Sequence, residues 1–258
     1  MELLEKNIAR EYDADVPQPV IECAHLKKAF GDHVVLDDFN LTVNRKENVV
    51  VMGRSGIGKT VLIKCIIGLI KPDEGTVLVF GKSIPTLNRK ELNEIRRRIG
   101  FVFQNSALYD SMTVRENLEF TLHRMSSETN PEVLEAIVRE SLHNVGLERT
   151  IDLMPSELSG GMRKRVGIAR SLVMKPEIVL YDEPTTGLDP ITSKEISNLI
   201  LELQNKLHTT SIIITHDVEL AKSTATRMVF VIEGKALYEG TYDALKQIED
   251  PRIKPFFG

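Results

Sequence analysis

Eight residues constrain this chain more than any others: Gly53-Arg54-Ser55-Gly56-Ile57-Gly58-Lys59-Thr60. They satisfy G-x-x-x-x-G-K-[ST], and their flanks are of the kind that pattern needs. Directly before them, Asn48-Val49-Val50-Val51-Met52 is a short apolar run, the mark of a strand buried on both faces. Directly after them, Leu62, Cys65, Ile66 and Leu69 recur at i, i+3, i+4 and i+7, with Pro72 beyond, which predicts a helix burying one face. The glycines reach backbone angles that turn successive N–H groups toward an anion. The helix N-terminus adds unpaired donors and a positive partial charge. Lys59 supplies a point charge for the β- and γ-phosphates of a nucleotide, and the Thr60 hydroxyl suits a Mg²⁺ ligand.

The rest of the chain extends that unit. Residues 20–26 and 33–43 alternate apolar and polar positions around Gly31-Asp32, a hairpin-like break. Short apolar runs at 76–80, 99–103, 177–182, 211–215 and 227–232 predict further strands. Between 104 and 176 no strand is evident; 113–125, 131–145 and a segment from Gly161 onward read as helices. Strands alternating with helices imply an α/β domain with a largely parallel sheet, interrupted by a helical insert over roughly 105–175. The 258 residues, 27% charged and 42% hydrophobic, supply ample core for such a domain over 19–258.

Charge and cysteine usage exclude other classes. The net charge is −4, and Glu2, Glu5, Glu11, Asp13 and Asp15, set against Lys6 and Arg10, place most of it in the first 19 residues. A polar tail is expected over 1–18, and the near-neutral body gives no electrostatic case for nucleic acid. Cys23 and Cys65 lack the spacing of a zinc site or a disulfide framework and fit a reducing compartment. No secretory signal is recognisable at the N-terminus. The most apolar segment, 61–70, is interrupted by Lys64 and falls far short of the ~20 residues that span a bilayer. The expectation is a cytosolic chain that does not itself enter the membrane.

Two more stretches carry chemistry. Ile178-Val179-Leu180-Tyr181 is an apolar strand ending in Asp182-Glu183, and open parallel sheets bind ligands at strand carboxyl ends. Asp182, last on the strand, is the better Mg²⁺ holder. Glu183 reaches one methylene further and can serve as general base toward a water in line with the γ-phosphate. Leu158-Ser159-Gly160-Gly161-Met162 precedes a helix; Ser159 is a good N-cap, and the glycines allow close approach of an anion.

Taken together these stretches resemble the ABC ATPase family over about residues 20–245. Residues 53–60 match its Walker A motif, 178–183 its Walker B, and Leu158–Met162 its signature motif. The resemblance implies a P-loop NTPase (RecA-like) core with an N-terminal antiparallel β subdomain and an inserted α-helical subdomain. It assigns ATP binding to Gly53, Arg54, Ser55, Gly56, Ile57, Gly58, Lys59, Thr60 and Val61, with Phe30 stacking on adenine. It adds Gln104 as the glutamine that touches Mg²⁺ and the attacking water, Asp189 at a dimer interface, and His216 as a γ-phosphate contact. Mg²⁺ would be held by Thr60, Gln104 and Asp182, and catalysis carried by Glu183, His216 and Gln104. Two chains would pack head-to-tail, each ATP gripped by one P-loop and by the partner's Ser159, Gly160, Gly161 and Met162.

Since no segment crosses a membrane, a transport role implies permease subunits, docking near Ser106–Leu118, with Leu108 and Tyr109 as groove residues. Met162 stands where most of the family has Gln. The string Met154–Arg165 around it, the run Leu180–Ile191, the Ser-Ala-Leu-Tyr segment after Gln104 and the terminal Asp250-Pro251-Arg252 resemble the ATPases of Mla/Mce-type lipid transporters. This sub-family implies phospholipid movement between bacterial envelope membranes, a peripheral location on the cytoplasmic face of the inner membrane, and an Mce-domain substrate-binding subunit. A small-solute importer and a soluble iron–sulfur assembly ATPase are the alternatives. Arg96-Arg97-Arg98 is expected to be a solvated helix face, and Phe256 and Phe257 suggest docking by the final segment.

Overall fold

The computed structural model describes residues 18–126 and 128–257; the tail expected over 1–18 lies, apart from Gln18, outside the described residues. Strands β1 (Pro19–Phe30) and β2 (His33–Asn44) pair antiparallel, with Phe30 opposite His33 across the Gly31-Asp32 turn. β3 (Asn48–Met52) runs through the phosphate-binding loop into α1 (Lys59–Ile66). The chain returns to β1 as β4 (Glu74–Val79), followed by the two-residue β5 (Lys82–Ser83). Then come α2 (Arg89–Arg97), started by an Asn88–Glu91 capping box, and β6 (Ile99–Val102). Three helices fill the gap before the next strand: α3 (Val114–Met125), α4 (Pro131–His143) and α5 (Gly160–Leu172). β7 (Ile178–Asp182), α6 (Pro190–Leu207), β8 (Thr210–Thr215), α7 (Val218–Thr224), β9 (Arg227–Ile232), β10 (Lys235–Gly240) and α8 (Tyr242–Lys246) complete the chain.

Two sheets result. A four-stranded antiparallel sheet has the order β2-β1-β4-β5. A six-stranded sheet has the order β10-β9-β3-β8-β7-β6, parallel except for β10 at its edge. The parallel strands sort their side chains with period two into two cores. Val50, Met52, Val179, Tyr181, Ile213 and Phe230 face the helical side with Leu118, Val138 and Val166. Val49, Val51, Ile178, Leu180, Ile212 and Ile214 face α1 and the antiparallel sheet. This two-sided burial is why the strands read as continuous apolar runs, and each fully buried Val or Ile contributes about 1.5–3 kcal/mol. The fold is thus an α/β P-loop core with an antiparallel β subdomain and a helical insertion.

Some residues behave differently from their sequence reading. Arg97 is exposed, but Arg96 is half-buried: its guanidinium donates to Ile67 O at 2.9 Å and Gly68 O at 3.0 Å, satisfying carbonyls just past the end of α1. Arg98 bonds Glu177 at 2.6 Å and lies 3.6 Å from the Phe80 ring centre. Phe256 and Phe257 pack within their own chain, on Phe230. Cys23 and Cys65 are both buried, and burial pushes the Cys65 thiol up to about 11 and that of Cys23 higher still.

Candidate functional site

The parallel strands β3, β7 and β8 all end at one edge of the sheet, and the chemistry-bearing residues follow directly from those ends. The loop after β3 passes so close to its neighbours that two positions admit only glycine. At Gly58 (φ +106°) a Cβ would stand 2.6 Å from Val35 O, and at Gly53 (φ +156°) 2.8 Å from Val231 O. The first turn of α1 has no acidic residue, and its N-cap, Gly58, offers no side-chain acceptor. Its amide donors therefore remain available for an anion.

Lys59 is curled over this loop, donating to Gly53 O at 2.8 Å and Arg54 O at 3.0 Å. Its ammonium also lies 3.7 Å from Glu183 Oε1. Burial lowers the Lys59 pKa, opposed by the charges of Glu183 and Asp182. Thr60 Oγ1 donates to Asp182 Oδ1 at 2.9 Å. Asp182 is only 6% exposed, and burial raises its pKa, against the Thr60 hydrogen bond. Glu183 follows β7 with φ +49°, a conformation costly for a side-chain-bearing residue. Its carboxylate meets His216 Nδ1 at 2.9 Å and accepts from Thr186 Oγ1 at 3.2 Å.

Lys59, Thr60, Glu183, Thr186 and His216 border a cleft of about 430 Å³. Phe30, 51% exposed, lines it, and Ser55, Gly56, Gly58, Lys59, Thr60, Val61, Gln104, Glu183 and His216 line it as well. Gly53, Arg54, Ile57 and Asp182 are not among the lining residues, though Gly53 and Arg54 contribute the carbonyls that Lys59 holds and Asp182 accepts from Thr60. Sequence reasoning missed His33, Val35 and Thr186. The cross-strand register places His33 beside Phe30, and the hairpin break at Gly31-Asp32 was the available signal.

Ser159, Gly160, Gly161 and Met162 do not line this cleft. Ser159 caps α5, its Oγ accepting from the Met162 amide at 3.2 Å. Asp189 likewise caps α6, accepting from the Ile191 and Thr192 amides at 3.0 Å; the Thr192 hydroxyl and these amides hold its pKa below the usual carboxylate range.

A second, larger cleft of about 800 Å³ lies between α2, β6 and α3. Phe101, Phe103, Tyr109, Phe120 and Met125 give it apolar walls, with Arg89, Arg96, Arg97, Arg124 and Arg170 around them. Tyr109 is 45% exposed there and packs on Phe120 with ring centres 4.8 Å apart, whereas Leu108 packs against the helical core. The fully buried Asn117 holds the 109–113 loop in place, donating to Tyr109, Met112 and Thr113 carbonyls and accepting from the Tyr109 amide.

Comparison with known proteins agrees with this geometry. The ABC transporter family model matches residues 36–186. The intermembrane phospholipid transport system ATP-binding protein MlaF of Haemophilus influenzae is 39% identical over 239 residues, 93% of this chain and 90% of that protein. The probable ribonucleotide transport ATP-binding protein Mkl of Mycobacterium leprae is 37% identical over 95% of this chain and 70% of its own length. Among solved structures, the dimeric post-hydrolysis state of the ATP-binding cassette MJ0796 with ADP and Pi superposes with a TM-score of 0.78. It shares 33% identity over 86% of this chain and 98% of that one. With the P-loop, the acidic strand end and a capped Ser-Gly-Gly helix all in one fold, the chain belongs to the ABC transporter family as an ATP-binding, ATP-hydrolysing member.

Proposed function

We propose that this chain is the motor subunit of a phospholipid transporter, acting as a homodimer on the cytoplasmic face of the inner membrane. The observation that carries the catalytic half of this reading is the placement of Glu183. Its carboxylate stands between Lys59 and His216 in the lining of the cleft that the P-loop residues border. In this reading the base of ATP stacks on Phe30, the loop amides and Lys59 take the β- and γ-phosphates, and Gln104 faces the attacking water. Water attacks the γ-phosphorus, its proton passes to Glu183, and the bond to the ADP oxygen breaks. His216 holds the Glu183 carboxylate in orientation.

Thr60 Oγ1 and Asp182 Oδ1, 2.9 Å apart, are hard oxygen donors. Such a pair fits Mg²⁺, which takes most of its shell from phosphates and water. When bound, the ion would offset phosphate charge, with Gln104 within the same cleft. Ser159, Gly160, Gly161 and Met162 stand apart from the chain's own cleft, which supports their use on the nucleotide of a second copy, with Asp189 at the shared interface. The domain is read as spanning 19–258, with 105–175 as its helical insert.

Among the described residues no helix is long and apolar enough to cross a membrane, so the path for lipid belongs to partner permeases. The Tyr109 cleft, bordered by the 106–118 segment, is where a permease helix would dock. An Mce-domain subunit would hold the lipid. The similarity to MlaF supports phospholipid as cargo; the similarity to Mkl makes a ribonucleotide the competing cargo. Reconstitution of the chain with its membrane subunits in vesicles, with labelled phospholipid and labelled ribonucleotide offered in parallel, tests this. ATP-dependent movement of the phospholipid alone is expected; movement of the ribonucleotide alone would overturn the reading.

A further inference from the structure

Helix α5 carries two cations six residues apart, and both hold main-chain oxygens of one loop. Lys164 Nζ donates to Gln104 O at 2.5 Å and reaches Glu183 O at 3.5 Å. Arg170 donates to Ser106 O at 2.9 Å and Ala107 O at 2.6 Å. Between them Gly167 lets the loop lie against the helix: a Cβ there would stand 3.1 Å from Ser106 Cβ. Residues 104–107 are thus laid along one side of α5. The loop needs that support, because Ser106 (φ +59°) and Ala107 (φ +48°) are consecutive residues in the left-handed region.

Lys164 is the less expected of the two. It is only 7% exposed, and among the described residues its ammonium rests on carbonyl oxygens without an ion pair. Burial lowers its pKa, opposed by the charge of Glu183. An apolar side chain of similar volume would fill this place without the cost of desolvating a cation, so packing alone does not account for a lysine here. What the lysine adds is a bridge between the main chains of two residues that follow different strands, β6 and β7, and both line the nucleotide cleft.

We propose that Lys164 is a positioning residue for ATP hydrolysis: its ammonium ties the backbone of Gln104 to that of Glu183 and so fixes how far apart their side chains meet the attacking water. This rests on the roles given above to Gln104 and Glu183. In a head-to-tail dimer the first turn of α5 presents Ser159 to the partner's nucleotide. A movement of that helix on closure reaches this chain's own Gln104 and Glu183 through Lys164.

The test compares Lys164→Met, Lys164→Arg and Lys164→Gln in the full chain purified with its membrane partners. ATP is varied, and thermal unfolding is followed alongside. Lys164→Met should lower kcat by about a hundredfold, the scale of an ångström-level misplacement, while KM and Tm stay at parental values. Lys164→Arg should recover most of that loss. A parental kcat in Lys164→Met, or a KM that rises in step with the fall in kcat, overturns the proposal. If Lys164→Met does not fold, Lys164→Gln serves, since its uncharged amide keeps the site polar while a side chain one atom shorter does not bridge both carbonyls. A reduced kcat at unchanged KM supports the proposal there, and a parental kcat overturns it. Glu183→Gln, run in parallel, separates the two levels. Turnover retained in that variant overturns the reading on which the proposal rests; turnover lost there but kept in Lys164→Met overturns the proposal alone.

Discussion

The two ends of the proposed nucleotide machinery are built in opposite ways. At the P-loop end Lys59, Asp182 and Glu183 are each less than a tenth exposed. Each already has a partner in the chain: Lys59 with loop carbonyls, Asp182 with Thr60, Glu183 with His216. At the signature end Ser159 and Gly160 are exposed, and the Ser159 hydroxyl makes one local capping bond. The first end is pre-assembled by three strand termini. The second is a helix start that presents its donors outward. A buried charged cluster is expensive unless paired, so it has to be complete within one chain. An exposed cap carries no such cost and can wait for a second surface.

Variants can break this contrast in order of effect. Glu183→Gln should lower kcat by about 10²–10⁴-fold while nucleotide affinity, read by fluorescent-nucleotide titration, stays parental; parental turnover would remove Glu183 from its role as base. Lys59→Ala removes a charge-assisted contact worth about 1.5–3 kcal/mol. The same titration should then show binding weaker by about ten- to a hundredfold. Ser159→Ala should cost ~1 kcal/mol of stability through the lost cap. Nucleotide binding to the single chain should be untouched and turnover of the dimer reduced. If binding to the single chain weakens as well, the two ends are not separate.

The smallest effect is on pH. Burial raises the Asp182 pKa above the ordinary 3.8, so between the two values the folded chain binds more protons than the unfolded one. Stability from this group therefore falls as pH rises through that window. Asp182→Asn should flatten that part of the nucleotide-free stability profile and raise Tm slightly at neutral pH. A chemical-denaturation series across acid pH checks it, and an unchanged slope would count against a strained carboxylate.

Legibility in the sequence follows the same division. The strands of the buried sheet and the loop after β3 were readable because two-sided burial and the need for glycine leave local marks. The edge strands β5 and β10 were not: β5 is two residues long, and β10 alternates half-buried and exposed positions. Arg96, Lys164 and Arg170 escaped for a different reason. Each acts on carbonyl oxygens 19 to 64 positions away in the chain, and a bond to a carbonyl is indifferent to which residue offers it. No spacing or residue type records such a partner. Leu108 and Tyr109 illustrate the limit within one dipeptide, since only the fold sends one side chain into the core and the other to the groove.

The two sealed cysteines make the chain its own background for labelling. With both native thiols buried and held protonated well above neutral pH, a cysteine introduced at exposed Ser159 or Tyr109 would be the fast-reacting one. A spin or fluorescent probe there would report the distance to a second copy or to a membrane partner, without first engineering the natural cysteines away.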